Sequence, residues 1–256
     1  MSPPSVPVDP ALKDPYDPNG SGITPRSAAS VPEIRGLYEQ YFQSYQLSPG
    51  KPEPTNEFRL LLALELAKAM LEHYFPPSAY SIRAASFNKF ARWGLPIQLD
   101  DPSGYSIHVI PPNLIGGWYV DRKYEYADAA ANGAIVSTTL PHTIFAVIID
   151  DLATKSHWIT NKNALIIPGD IVGTNLGLEC GIAKGQGVLI MGPTIEFYKF
   201  NKDANIRRTT YMIQNGRSPS RDSSFPMDVA NINDVDRVFR DLARMFVAYE
   251  DGLIAN

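Results

Sequence analysis

Thr143-Ile144-Phe145-Ala146-Val147-Ile148-Ile149 is an apolar run closed by Asp150-Asp151, and its reading decides the fold. Such a run, rich in β-branched residues and stopped by turn-forming carboxylates, is a strand signal. Three more extended segments follow at 164–172, 187–200 and 206–213, separated by Gly, Asn, Asp or Pro. The last pair reads as a hairpin: Thr194 to Phe200 goes out, Asn201 to Asn205 turns, and Ile206 to Ile213 returns. Residues 143–213 are therefore expected to be the sheet on which the remainder packs.

Upstream of this block the period is helical. Residues 1–31 hold seven prolines, at 3, 4, 7, 10, 15, 18 and 25, which removes backbone donors and excludes a helix or a central strand. Such an arm is a free tail in an isolated chain, and in an assembling one it is expected to lie extended across a neighbour. Ser30 and Glu33 form an S-x-x-E capping box with Pro32 at the first helical position, and Ile34, Leu37, Tyr38, Tyr41, Phe42 and Tyr45 follow on one face. A second helix is expected over 56–74, with leucines on nearly every side and Glu65, Lys68 and Glu72 as a narrow polar stripe, ended by Pro76-Pro77. A third helix is expected over 78–93, turning Ile82, Phe87, Phe90 and Trp93 inward. A hairpin at 97–110 and a small alanine-rich helix capped by Asp121 complete the approach to the sheet. Downstream, 214–231 reads as a polar loop and 232–251 as an amphipathic helix carrying Val235, Val238, Phe239, Leu242, Met245, Phe246 and Tyr249.

These readings give an α+β class: N-terminal helices, a mainly antiparallel sheet with scope for curvature, and a C-terminal amphipathic helix. The organisation is an arm over 1–31 and one domain over 32–256, helical over 32–94 and sheet-rich over 95–213. At 256 residues, 44% hydrophobic and 20% charged, the chain can bury a full core. The net charge of −4 gives no general attraction to nucleic acid or anionic membrane. Cys180 is the only cysteine, which excludes an intrachain disulfide and a tetrathiolate zinc site. With no bilayer-length apolar run and no charged start leading into an apolar core, an intracellular protein without a signal peptide is expected.

No local motif assembles a catalytic set. Gly181 to Gly187 is glycine-dense, but the apolar Val188-Leu189-Ile190-Met191 follows it where a phosphate cradle needs a helix, so a strand connection is expected. His73, His108, His142 and His157 form no metal-binding pair, and no metal or cofactor is expected. Asp150, Asp151 and Asp170 stand at strand ends, where acid–base carboxylates and ordinary turn residues both occur. Glu179-Cys180 holds a thiol among apolar neighbours, the setting of a small buried hydrophobe. The one basic region, 201–225, sets Lys202, Arg207, Arg208, Arg217 and Arg221 against Asp203 and Asp222 and could grip phosphates.

Gly192 to Ile213 resembles the terminal hairpin of cone-shaped α+β folds of the nuclear-transport-factor-2 and polyketide-cyclase type. That resemblance covers about a tenth of the chain and transfers no catalytic residue. Two functions stand. The first is a structural, self-assembling subunit of the coat or scaffold kind, a homo-oligomer with local phosphate or nucleic-acid contact through the arginines. The second is a small-molecule enzyme or binding protein of lyase, isomerase or cyclase type. Its cavity inside a curved sheet would be lined by His108, His142, Asp170 or Glu179.

Overall fold

The computed structural model describes residues 27–46, 50, 52–85, 94–98, 105–109, 111–128, 134–149, 172–173, 175–202, 209–211, 225–228, 230–244 and 247–249. The arm over 1–26, Asp150, Asp151, Asp170 and the expected strand at 164–171 lie outside them.

The 143–149 run is buried without alternation, every residue at 2% exposure or less. It belongs to β5 (Ala134–Ile148), which lies between β4 (Ile115–Asp128) and β6 (Ile182–Met191). A strand paired on both edges and covered on both faces has no solvent side, so apolar residues occupy every position. The sheet order runs β1 (Tyr80–Ala84), β4, β5, β6, β7 (Thr194–Asn201), β8 (Thr209–Tyr211). β9 (Phe225–Pro226) joins β7, and β10 (Ala248–Tyr249) joins β6. Among the described residues, every pairing in this sheet is antiparallel except β5 with β6, which run parallel from Thr143↔Gln186 to Ile148↔Met191. A separate two-stranded sheet pairs β2 (Gly94–Gln98) with β3 (Tyr105–Val109).

Three helices cover one face. α1 (Pro32–Gln43) buries Ile34, Tyr38 and Tyr41. α2 (Asn56–Tyr74) starts where Thr55 Oγ1 accepts the Phe58 N–H at 3.2 Å and stops just before Pro76-Pro77. α3 (Ile232–Arg244) starts at Asn231, whose carbonyl accepts Asp234 and Val235 N–H groups, and buries Val235, Phe239 and Leu242. Phe239 is the hub of this layer. It stacks on Tyr74 and on Phe145, both at 5.7 Å, and meets Phe197 edge-on at 5.5 Å. Such aromatic contacts add about 1 kcal/mol each beyond the area they bury.

The opposite face packs Ile144, Ala146, Ile148, Leu189, Met191 and Tyr198 against Val172, Leu176 and Cys180. Those last three residues recur at helical spacing on the connection that returns β5 to the parallel β6, and Asn175–Glu179 forms one π-helical turn of it.

Several expectations are corrected. Residues 80–84 are a strand rather than part of a helix over 78–93, because pairing with Trp118–Arg122 of β4 outweighs local periodicity. The helical region therefore ends before Tyr80. Asp121 caps no alanine-rich helix; it lies inside β4, which pairs with β5 along its length. In the glycine-rich 181–187 segment, residues 182–187 are the first part of β6 itself rather than a connection between strands. The 187–200 segment is two strands, split where Gly192 takes φ 52°. The residue preceding α1 is Val31, and Ser30 Oγ bonds the Ser27 carbonyl instead of capping. The final helix ends at Arg244, and Tyr249 belongs to β10. The polar loop expected over 214–231 includes the short β9.

Candidate functional site

Of the residues singled out in the sequence, His108 lies on β3 opposite Leu95, in the separate hairpin. His142 is 2% exposed and lies edge-on to Phe75 at 5.7 Å and Tyr80 at 5.5 Å, on the helix-covered face. It is the extra residue of a β-bulge, since Thr143 pairs Val120 while Pro141 pairs Asp121. Glu179 is exposed at the end of the π-helical turn, beside Cys180 on the opposite face. His142 and Glu179 therefore belong to opposite sides of the sheet. Asp170, Arg207, Arg208, Arg217 and Arg221 lie outside the described residues.

The structure assembles two polar groups that the sequence did not reveal. On the helix-covered face, Asp236 of α3 is 1% exposed. Its Oδ1 accepts the Ala28 N–H at 2.6 Å and the Tyr74 hydroxyl, and its Oδ2 meets the Arg240 guanidinium at 2.9 Å. The Ala28 N–H also reaches the Tyr74 hydroxyl at 3.0 Å. This buried charge is paired and hydrogen-bonded, the condition under which burial is tolerated.

On the other face, Arg83 of β1 grips Asp121 of β4, with Nε 2.7 Å from Oδ2 and the second contact at 3.3 Å. Its guanidinium lies 4.2 Å over the Tyr119 ring. The Tyr119 hydroxyl donates to Asn175 Oδ1 at 2.7 Å, tying the π-helical turn to β4. Burial pushes the Cys180 thiol up to about 12, opposed by Arg83 and reinforced by Asp121 and Glu179. Burial also raises the Tyr119 phenol. Burial works against the Arg83 charge, yet the hydrogen bond and charge of Asp121 more than offset it.

Chemically, this group presents a protonated thiol, a protonated phenol and a guanidinium already held by a carboxylate. None is poised as a nucleophile or general base at neutral pH. The period-two pattern Tyr80-Ser81-Ile82-Arg83 was the available signal for the strand that carries Arg83. Among the described residues, no three His, Cys, Asp or Glu side chains gather as a metal site. No helix among them is long and apolar enough to cross a membrane.

What remains is the outer face of α2. Phe58 is 50% and Leu61 60% exposed, the two exposed large hydrophobic side chains among the described residues. Leucines on nearly every side of this helix give no sign of which one faces water, and it is Leu61 that does. On the same turn, Arg59 is buried. It donates to the Ser44 carbonyl at 3.1 and 3.0 Å, to Asn56 at 3.0 Å and to Glu53 at 2.8 Å, and lies 4.5 Å from the Tyr45 ring centre. The outward side chains therefore stand on a pinned helix. Comparison with protein-family models gave no match, and neither did comparison with curated proteins.

Proposed function

We propose that this chain is a structural, self-assembling protein, a subunit of the coat or scaffold kind. The observation that supports it is the pairing of Phe58 and Leu61 on one exposed turn of a rigidly held helix. Adjacent outward apolar groups favour association, because burying them between copies removes apolar surface from water. The buried polar groups fit the same reading, since each holds one element of the fold to another. The proline-rich arm over 1–31 is a second contact element, whose prolines limit its freedom in isolation and so lower the entropy lost on docking. Phosphate or nucleic-acid contact through Arg207, Arg208, Arg217 and Arg221 belongs to the proposal on the strength of their local positive charge.

The enzyme reading asks for ionisable groups converging on a chamber inside the sheet. Both described faces are instead packed with side chains, and a Cβ placed on Gly187 would collide with Val172 Cγ1. Size-exclusion chromatography with light scattering tests the proposal. The mass should exceed that of one chain and rise over roughly a hundredfold range of concentration, as mass action requires. A single-chain mass throughout that range would refute self-assembly.

A further inference from the structure

The outward stripe of α2 carries a charge pattern as well as an apolar pair. Glu57, Phe58, Leu61, Glu65, Lys68 and Glu72 are all exposed. At about 100° per residue, Glu57 and Lys68 share one edge of this stripe, about three turns apart. Leu61 lies along its middle, and Phe58 and Glu65 share the other edge. Asn113 Nδ2 donates to Glu57 Oε1 at 2.9 Å, which holds that carboxylate in place. Lys68 lies 3.7 Å from Glu72 and 5.8 Å from the centre of the Trp118 ring.

A pattern like this is complementary to itself when reversed. If two α2 helices lie antiparallel about a two-fold axis passing between positions 62 and 63, residue positions meet where their numbers sum to 125. Glu57 then faces Lys68 of the second copy, and the symmetry repeats that pair. A two-fold axis normal to both helices places like edges opposite each other, so the charged edges coincide. Leu61 meets its own symmetry mate near the axis, offset along the helices by about 4.5 Å. Phe58 falls on the methylenes of Glu65 across the interface, whose carboxylate stays in water. An isologous contact requires this kind of self-complementarity.

We infer that the outer face of α2 is a homotypic contact surface whose occupant is α2 of a second copy of this chain, antiparallel and two-fold. This rests on the self-assembly reading and names the surface that serves it. The pinned helix means little ordering is needed on docking, which leaves more of the contact energy as affinity.

Charge reversal and cross-linking test the contact in the full chain. Glu57→Lys and Lys68→Glu should each weaken the dimer about tenfold or more, because each places like charges opposite one another twice. The double variant restores opposite charges and should recover most of the lost affinity, a result that a merely structural role for either residue would not give. Leu61→Cys should be captured as a covalent dimer by a short bifunctional thiol reagent, and wild type should not, since its one thiol, Cys180, is buried. An oligomeric wild type with silent charge reversals and no Leu61→Cys cross-link would overturn this contact while leaving self-assembly standing elsewhere on the surface. A wild type that is a single chain at every concentration would overturn both.

Discussion

The Asp236 carboxylate accepts the backbone N–H of Ala28 at 2.6 Å, joining residues 208 positions apart. Tyr74 donates its hydroxyl to the same oxygen, so α2, α3 and the start of the described chain meet at one buried atom. Removing the whole carboxylate takes the acceptor from the Tyr74 hydroxyl at Oδ1 and the partner from the Arg240 charge at Oδ2. Asp236→Ala should therefore cost about 3 kcal/mol, and Tyr74→Phe, which removes only a neutral donor, about 1 kcal/mol. Urea unfolding of the two variants checks the order. A Tyr74→Phe loss as large as that of Asp236→Ala would mean that packing, not the charge, dominates this node.

Gly187 is where the connection on the second face presses hardest on the sheet. A Cβ there would collide with Val172 Cγ1 and lie 3.0 Å from Ile144 Cγ2 and 3.2 Å from the Ile144 carbonyl oxygen. Gly187→Ala should destabilise by about 2 kcal/mol through overpacking. Most of that penalty should vanish in a Val172→Ala background, since the nearest clashing methyl is gone. A thermodynamic cycle measures the coupling. Additive losses would show that the backbone contact with Ile144, not Val172, sets the cost.

The same face explains which parts of this molecule can be read from its sequence. α2 shows its bounds, because Thr55 supplies a cap, the leucine spacing is unbroken, and Pro76-Pro77 forces an end. β5 is equally plain, since only a doubly covered strand keeps Thr143 to Ile149 dry on every side. β1 is concealed: Ile82, Phe87, Phe90 and Trp93 at helical spacing outweigh the shorter alternation of Tyr80-Ser81-Ile82-Arg83. β4 reaches into the alanine-rich stretch at Ala127, where helical propensity is overridden by a long register with β5. Arg83 and Asp121 are 38 residues apart and meet only through the β1–β4 pairing. A polar pair of that kind has no local signature. Leu61 was hidden for the opposite reason, since a leucine among leucines gives no sign of which one faces water.

Cys180 gives a pH-dependent consequence. Folded, its thiol keeps its proton up to about 12, while the unfolded chain ionises it near the ordinary 9.0. Between those values the folded state binds the extra proton, so stability is whole below the lower one and declines as pH rises towards the upper. Wild type should lose stability more steeply than Cys180→Ala above pH 9.0. Urea midpoints taken across that window make the comparison, and parallel declines would show that the thiol does not contribute. In the native state at neutral pH, an aromatic disulfide reagent should leave Cys180 unmodified until the chain unfolds.

The arginines at 207, 208, 217 and 221 offer the test of a nucleic-acid role. Replacing all four with Gln removes four positive charges and keeps polar side chains, so the circular dichroism spectrum should be unchanged. If they hold phosphates, duplex DNA binding should weaken at low salt. The slope of log affinity against log salt should also flatten by about 0.9 for each phosphate no longer neutralised, because fewer counterions are released. Two neighbouring acids, Asp203 and Asp222, temper the field of this segment, so the effect should shrink to nothing well before molar salt. Binding with an unchanged slope in the fourfold variant would place the polyanion contact elsewhere. A wild type that fails to bind even at low salt would remove nucleic acid from the proposal and leave assembly through α2 to be judged by mass alone.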